Sequence, residues 1–379
     1  MPSPLDLLEP IVRDVIAPAA ADTDQQARYP RAALDALGAA GLLGLISARA
    51  VGGMGRGLAE AAQVVERIAQ DCPCSAMVLT MHYCAVALIE PHAPEAVRRA
   101  IAAGRHVSTL AVSEAASRSH IWAPAGTATP ADDGAVRLDA HKSMITSAGE
   151  ADSYVWISRA LAGEGNTLWL VDSRLPGLSV PARFDGMGLR GNASSPIVAQ
   201  DVRVARADML GADGAGEQLK GMYLMPYFVT LIATTSIGLM QGALRRAIAH
   251  VAGVRFSDTG STLADLPTIR AYLARAQLRA DQARLLRDDA VAAAAQGRAD
   301  LRMRLLQVKA AAAEAALEVT DTAMRVCGGA AFRKDLGIER LFRDSRAASV
   351  MAPTTDVLYD MIGKALCDEA APSPERTSE

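Results

Sequence analysis

The run "AVRLDAHKSMITSA" (Ala135–Ala148) is followed closely by "DSYVWISRA" (Asp152–Ala160) and "NTLWLVD" (Asn166–Asp172). All three are short, rich in β-branched and aromatic residues, and set apart by turn residues such as Asp132-Asp133-Gly134. "STLAVSE" (Ser108–Glu114) before them and "PIVAQDVRV" (Pro196–Val204) after them read the same way. A small β-domain is therefore expected in the middle of the chain.

Outward from it the text becomes helical on both sides. "PRAALDALGAAGLLGL" (Pro30–Leu45) and "LAEAAQVVERIAQ" (Leu58–Gln70) space apolar residues by three and four, with the glycines of "ARAVGGMGRG" between them. Downstream, "LLQVKAAAAEAALEVTDTAMRV" (Leu305–Val326) is alanine-rich, with high helix propensity and alternating small and large residues, which predicts close helix packing. The expected organisation is a helical domain over 1–106, a β-domain over 107–215, a helical bundle over 216–368 and a disordered tail over 369–379. The fold class is α+β, mostly α.

Composition narrows the function. Half of the 379 residues are apolar, enough for a large core, and the net charge is −3 with no basic run interleaved with aromatics, so nucleic-acid binding is not expected. The five cysteines form no paired framework, and Cys72-Pro73-Cys74 has the wrong spacing for zinc, so no metal site is expected. The N-terminus has acids where a signal peptide has a basic flank, so a cytoplasmic protein is expected. "YLMPYFVTLIATTSIGLM" (Tyr223–Met240) approaches membrane-span length but carries Pro226, Gly238 and several hydroxyls, the composition of a buried bundle helix.

Motifs at several points, in order, resemble the acyl-CoA dehydrogenase family of FAD-dependent flavoproteins. "GLLGLISARAVGGMG" (Gly41–Gly55) is similar to its N-terminal glycine motif, and "LAVSEAASRSH" (Leu110–His120) to L-x-T-E-P-x-A-G-S-D. "HKSMITSAGEADSYV" (His141–Val155) is similar to K-x-W-I-T-N-G-x-x-A-D, and "MGLRGNASSPIVAQDVRVARADMLG" (Met187–Gly211) to the closing strands of the β-domain. "RVCGGAAFRKDLGIERLFRDSRA" (Arg325–Ala347) is similar to the glycine pair and R-D-x-R segment. The resemblance implies a β-barrel-like middle domain, a C-terminal four-helix bundle, bound FAD, and a homotetramer or homodimer whose neighbouring subunit completes the cofactor site.

Carried over residue by residue, the resemblance assigns Ser113 and Thr146 to the flavin edge, Ser119 to the pyrophosphate, and Met144 to the flavin face in place of a tryptophan. Thr354 and Asp356 also match cofactor contacts; Arg255, Arg325 and Gly329 match the positions that reach a partner subunit's cofactor. Read without the family, Ser113 and Thr146 are hydroxyl residues at strand ends, and Arg325 is an exposed helix-end arginine. Tyr227 and Phe228 either shape a substrate pocket or pack the core.

The departure lies in "RDSRAASVMAPTTDVLYDMIG" (Arg343–Gly363). Family dehydrogenases place a glutamate before a Gly-Thr pair to remove the α-proton of an acyl thioester; aligned on Thr354, that position holds Ala352, which cannot take a proton. Asp356 is the nearest acid and His82 a buried-helix histidine, and both are weighed as catalytic groups. For His82 the competing reading is a satisfied histidine in an apolar interface; His120 is read as a loop residue. Three functions follow: α,β-dehydrogenation of an acyl thioester on CoA or a carrier protein, with an electron-acceptor flavoprotein; a flavin-dependent monooxygenase of the same fold, using reduced flavin from a reductase and O2; or a non-catalytic flavin-binding protein.

Overall fold

The computed structural model describes residues 2–116 and 123–370. Six helices come first: α1 (Pro4–Ile11), α2 (Ala17–Gln25), α3 (Arg31–Ala39), α4 (Leu58–Ala69), α5 (Pro73–Ile89) and α6 (Glu95–Ala102). α1 is started by a capping box in which the Ser3 hydroxyl accepts from Asp6 N while the Asp6 carboxylate accepts from Ser3 N. α5 is apolar all round and buried along nearly its whole length, the composition of a core helix.

The strands follow as β1 (Ser108–Ala111), β2 (Thr127–Pro130), β3 (Val136–Ile145), β4 (Ser153–Arg159), β5 (Asn166–Asp172), β6 (Leu178–Ser179), β7 (Ser195–Val204) and β8 (Met209–Leu210). They divide between two four-stranded sheets, β1-β4-β5-β8 and β2-β3-β7-β6. β1 runs parallel to β4, and the remaining pairs are antiparallel. The β3–β7 register shifts between Lys142 and Ile145. Within that irregularity Met144 has φ +54°, so the strand is re-aimed where the site lies.

The chain closes with α7 (Gly216–Leu219), α8 (Met225–Gly253), α9 (Pro267–Gln296), α10 (Leu301–Cys327), α11 (Ile338–Asp344), α12 (Arg346–Val350) and α13 (Thr355–Ala370). α8, α9 and α10 pack through small residues: Ala276, Ala280 and Ala283 meet Ala312, Ala315 and Ala316 around Ile237 and Met240. α8 also lies against α4 at contact distance, since a Cβ on Gly238 would meet Glu66 O at 2.3 Å. Among the described residues, Gly216–Gly253 is the one helix long and apolar enough to cross a membrane, and 72% of its apolar window is buried inside the protein. One hydrophobic cluster runs without a break from Leu8 and Leu79 through Trp156 and Trp169 to Phe228, Leu305 and Ala348.

Candidate active site

A cleft of about 290 Å³ opens where the three parts of the chain meet. Its walls are Met81 of α5, the segment Val112–Ala115 after β1, Ser143–Thr146 at the end of β3, Phe228 of α8, and Val350–Ala352 between α12 and α13. A second cleft of about 220 Å³ shares Met144, Thr146, Val350 and Met351 with it and continues past Met77, Met187 and Leu189. The two clefts adjoin through these four shared residues, and their combined lining, the channel below, is apolar with a few polar groups.

Those polar groups are positioned from the strands. Thr146 is buried, its hydroxyl 3.2 Å from Ser194 Oγ, and its carbonyl accepts from Thr109 Oγ1 at 2.9 Å. The Ser113 carbonyl accepts from Ser143 N, which ties the two wall segments together, while the Ser113 hydroxyl has no hydrogen-bond partner among the described residues. Met144 stands 64% exposed at the channel, held out by its left-handed backbone. A flat ring with hydrogen-bonding edges needs this combination of apolar faces and a few edge donors and acceptors, so the wall fits a flavin.

Sequence reasoning missed the charged pair beneath this wall. Glu114, the carboxylate that lines the cleft, accepts from Lys142 Nζ at 2.5 Å through Oε1 and from the backbone N–H groups of Ala125 and Gly126 through Oε2. Lys142 donates also to Ile157 O at 2.6 Å and lies 4.7 Å from the centre of the Trp156 ring. Burial lowers the Lys142 ammonium to about 8, against the opposing pull of Glu114. With both its oxygens occupied by donors, Glu114 is committed to holding the wall and is poorly placed to take a substrate proton.

The remaining site candidates fall in three places. Ser113, Met144, Thr146, Phe228 and Ala352 line the cleft together. Tyr227 packs half-buried against the core, and Thr354 lies past the cleft wall, its carbonyl accepting from Leu358 N at the start of α13. Asp356 is exposed on α13 and does not line the channel. Arg255, Arg325 and Gly329 are on the surface: Arg255 donates to Gly260 O, Arg325 stacks 5.4 Å from the centre of the Tyr272 ring, and a Cβ on Gly329 would meet open space. Ser119 and His120 lie outside the described residues.

His82 is not a cleft residue. It is fully buried one position beyond Met81, its Nε2 3.0 Å from Leu43 O and its Nδ1 accepting from Ser108 N at 3.2 Å. The acceptor role of Nδ1 puts the proton on Nε2, and burial pushes the imidazole down to about 4, so the ring is neutral and both its nitrogens serve the packing of α5 on β1. The satisfied-histidine reading is the one this geometry fits.

Comparison with known proteins agrees with the architecture along the chain. Residues 5–104 match the profile "Acyl-CoA dehydrogenase, N-terminal domain", 109–202 the middle domain, and 226–367 the C-terminal domain. Cyclohex-1-ene-1-carbonyl-CoA dehydrogenase of Geobacter metallireducens is 26% identical over 371 residues, covering 96% of both chains. L-prolyl-[peptidyl-carrier protein] dehydrogenase of Pseudomonas fluorescens is 28% identical over 339 residues, covering 87% of this chain and 88% of the relative. The structure of butyryl-CoA dehydrogenase from Megasphaera elsdenii superposes with a TM-score of 0.89 at 23% identity, over 96% of this chain and 97% of that one. The chain belongs to the acyl-CoA dehydrogenase family of FAD-dependent oxidoreductases.

Proposed function

We propose that the protein oxidises the Cα–Cβ bond of an acyl thioester, carried on CoA or on a carrier protein, to the α,β-unsaturated thioester. In this reaction the Cα–H bond breaks to a proton, the Cβ–H bond breaks with its electron pair, and a C=C bond forms. Bound FAD supplies the two-electron acceptor, and an electron-acceptor flavoprotein takes the electrons onward. The observation that carries the reading is the channel itself, whose lining brings Ser113 and Thr146 of the β-domain together with Phe228, Met351 and Ala352 of the helical bundle. Met77, Met81, Met144, Met187 and Met351 line it with flexible thioethers, a wall that adapts to the shape of the acyl group.

Within this reading Ser113, Thr146 and Met144 hold the flavin ring, Ser119 its pyrophosphate, and Phe228 with Met351 the acyl group. The Ala352 N–H, which has no hydrogen-bond partner among the described residues, is a donor for the thioester carbonyl. Arg255, Arg325 and Gly329 act across a subunit interface in a homodimer or homotetramer. The exposed side chains of Phe332, Leu278 and Leu285 support such an assembly. The free cysteines support a reducing, cytoplasmic setting.

One observation favours a second reading. Ala352 offers no base, and Glu114 is fully engaged, so the described cleft wall presents no available carboxylate for the α-proton. A flavin-dependent monooxygenase needs none. Anaerobic titration of the FAD-loaded protein with a panel of acyl-CoA and acyl-carrier thioesters separates the two. Bleaching of the flavin with formation of an enoyl thioester is expected for the dehydrogenase. No bleaching, together with oxygen uptake and an oxygenated product only when reduced flavin is supplied, would replace it by the monooxygenase.

A further inference from the structure

Lys309 of α10 is fully buried, and no ion pair joins it to any described residue. A cation in that position loses its hydration with no counter-ion to offset the loss. Its Nζ instead donates to three backbone carbonyls: Ala348 O at 3.1 Å, Met351 O at 3.0 Å and Pro353 O at 2.7 Å. A neutral amine has two N–H bonds to give, and three acceptors call for the ammonium form. Burial pulls the group down to about 7, and three carbonyl acceptors around Nζ favour the charged form against that pull.

All three acceptors belong to the stretch that carries Val350, Met351 and Ala352, the outer wall of the channel. That stretch has little backbone support: Met351 N donates to Ala347 O, and the next amide to donate into the backbone network is Leu358 N, to Thr354 O. Lys309 does not itself line the channel, so it acts on the site through the backbone it gathers.

We propose that Lys309 is a positioning residue: its ammonium draws the carbonyls of Ala348, Met351 and Pro353 to one point and so fixes the wall against which the acyl group lies. The proposal rests on the reading of the channel as a thioester site.

The test compares FAD-loaded wild type with Lys309→Met, which keeps length and removes all donors, and Lys309→Gln, which keeps an amide donor. Hydrogen exchange of residues 347–356 is expected to quicken at least about tenfold in Lys309→Met, with other segments unchanged. The dissociation constant of S-hexyl-CoA, an unoxidisable thioether read by its perturbation of the flavin spectrum, is expected to rise by about tenfold. FAD affinity stays as in wild type, and Lys309→Gln falls between.

Unchanged exchange in Lys309→Met overturns the clamp, and faster exchange with unchanged S-hexyl-CoA affinity overturns the positioning role while leaving the thioester reading intact. A wild type that binds neither S-hexyl-CoA nor an S-hexyl thioether on a carrier protein's phosphopantetheine arm overturns the thioester reading and the positioning role with it. If Lys309→Met does not fold, Lys309→Gln is compared with wild type instead. Should that fail as well, exchange of the Met351 amide, which donates to Ala347 O, decides in the wild type: a rate well below that of an unstructured chain is expected, and an unstructured-chain rate overturns the clamp.

Discussion

Lys142 Nζ lies 2.5 Å from Glu114 Oε1, and both side chains are shut away from solvent, at 0% and 1% exposure. Lys142 enters from the β3 irregularity and Glu114 from the segment after β1, so the ion pair joins the two parts of the cleft wall. Removing one partner strands the other as an uncompensated buried charge. Glu114→Gln and Lys142→Met are each expected to cost about 3–5 kcal/mol of unfolding free energy, and the double variant less than the sum of the two. Denaturant unfolding of the four proteins checks this; additive losses would mean that the pair does not act as a unit.

Restoring a carboxylate to the channel is expected to increase dehydrogenation. Ala352→Glu places a general base at the position where the wall has none, a change expected to raise turnover of acyl thioesters by about 10²-fold. Asp356→Asn, on the exposed face of α13, should leave α-proton exchange unchanged. Solvent deuterium incorporation at Cα measures both. A silent Ala352→Glu would place the base, or the chemistry, elsewhere.

Thr146 and Ser194 share a buried hydroxyl contact of 3.2 Å beside the cleft. Thr146→Val preserves shape and removes the hydroxyl, so FAD affinity should fall by about tenfold, the worth of a hydrogen bond to a buried polar edge. Equilibrium binding of FAD to the apoprotein tests it. Ser194→Ala, which leaves the Thr146 hydroxyl in place, should have the smaller effect.

His82 makes the fold sensitive to acid. Its folded-state value of about 4 lies below the ordinary imidazole value of about 6.5, so between those two pH values the unfolded chain binds the proton and the folded protein does not. The contribution of the neutral imidazole is complete above the unfolded value and shrinks as pH falls toward 4, by on the order of 3 kcal/mol in all. Stability measured from pH 7 to pH 4 should drop more steeply in wild type than in His82→Gln. Parallel curves would remove His82 as the source.

The order helix, strand, helix was legible because periodicity and composition change along the chain: alanine-rich runs at 305–326 and β-branched ones at 152–172 announce themselves locally. The resemblance brought forward Ser113, Met144, Thr146, Phe228 and Ala352, which the fold gathers into one cleft. The charged groups behind the wall were not legible. Glu114 and Lys142 meet across 28 positions, and burial, the property that matters, leaves no local mark on either residue. Lys309 sits in "VKAAAA", where a lysine reads as a solvated helix position until α12 and α13 fold over it.

The guanidinium of Arg343 touches every part of the chain at once: Asp24 of α2 at 2.6 Å, the carbonyl of Met187 between the strands at 2.8 Å, and Glu339 of α11 at 2.7 Å. With a core that is also continuous across the three parts, the boundaries written in the sequence are not lines of weakness in the molecule. Heating should melt the protein in a single cooperative transition, and a chain cut near residue 215 should yield fragments that are insoluble apart and regain structure only when mixed.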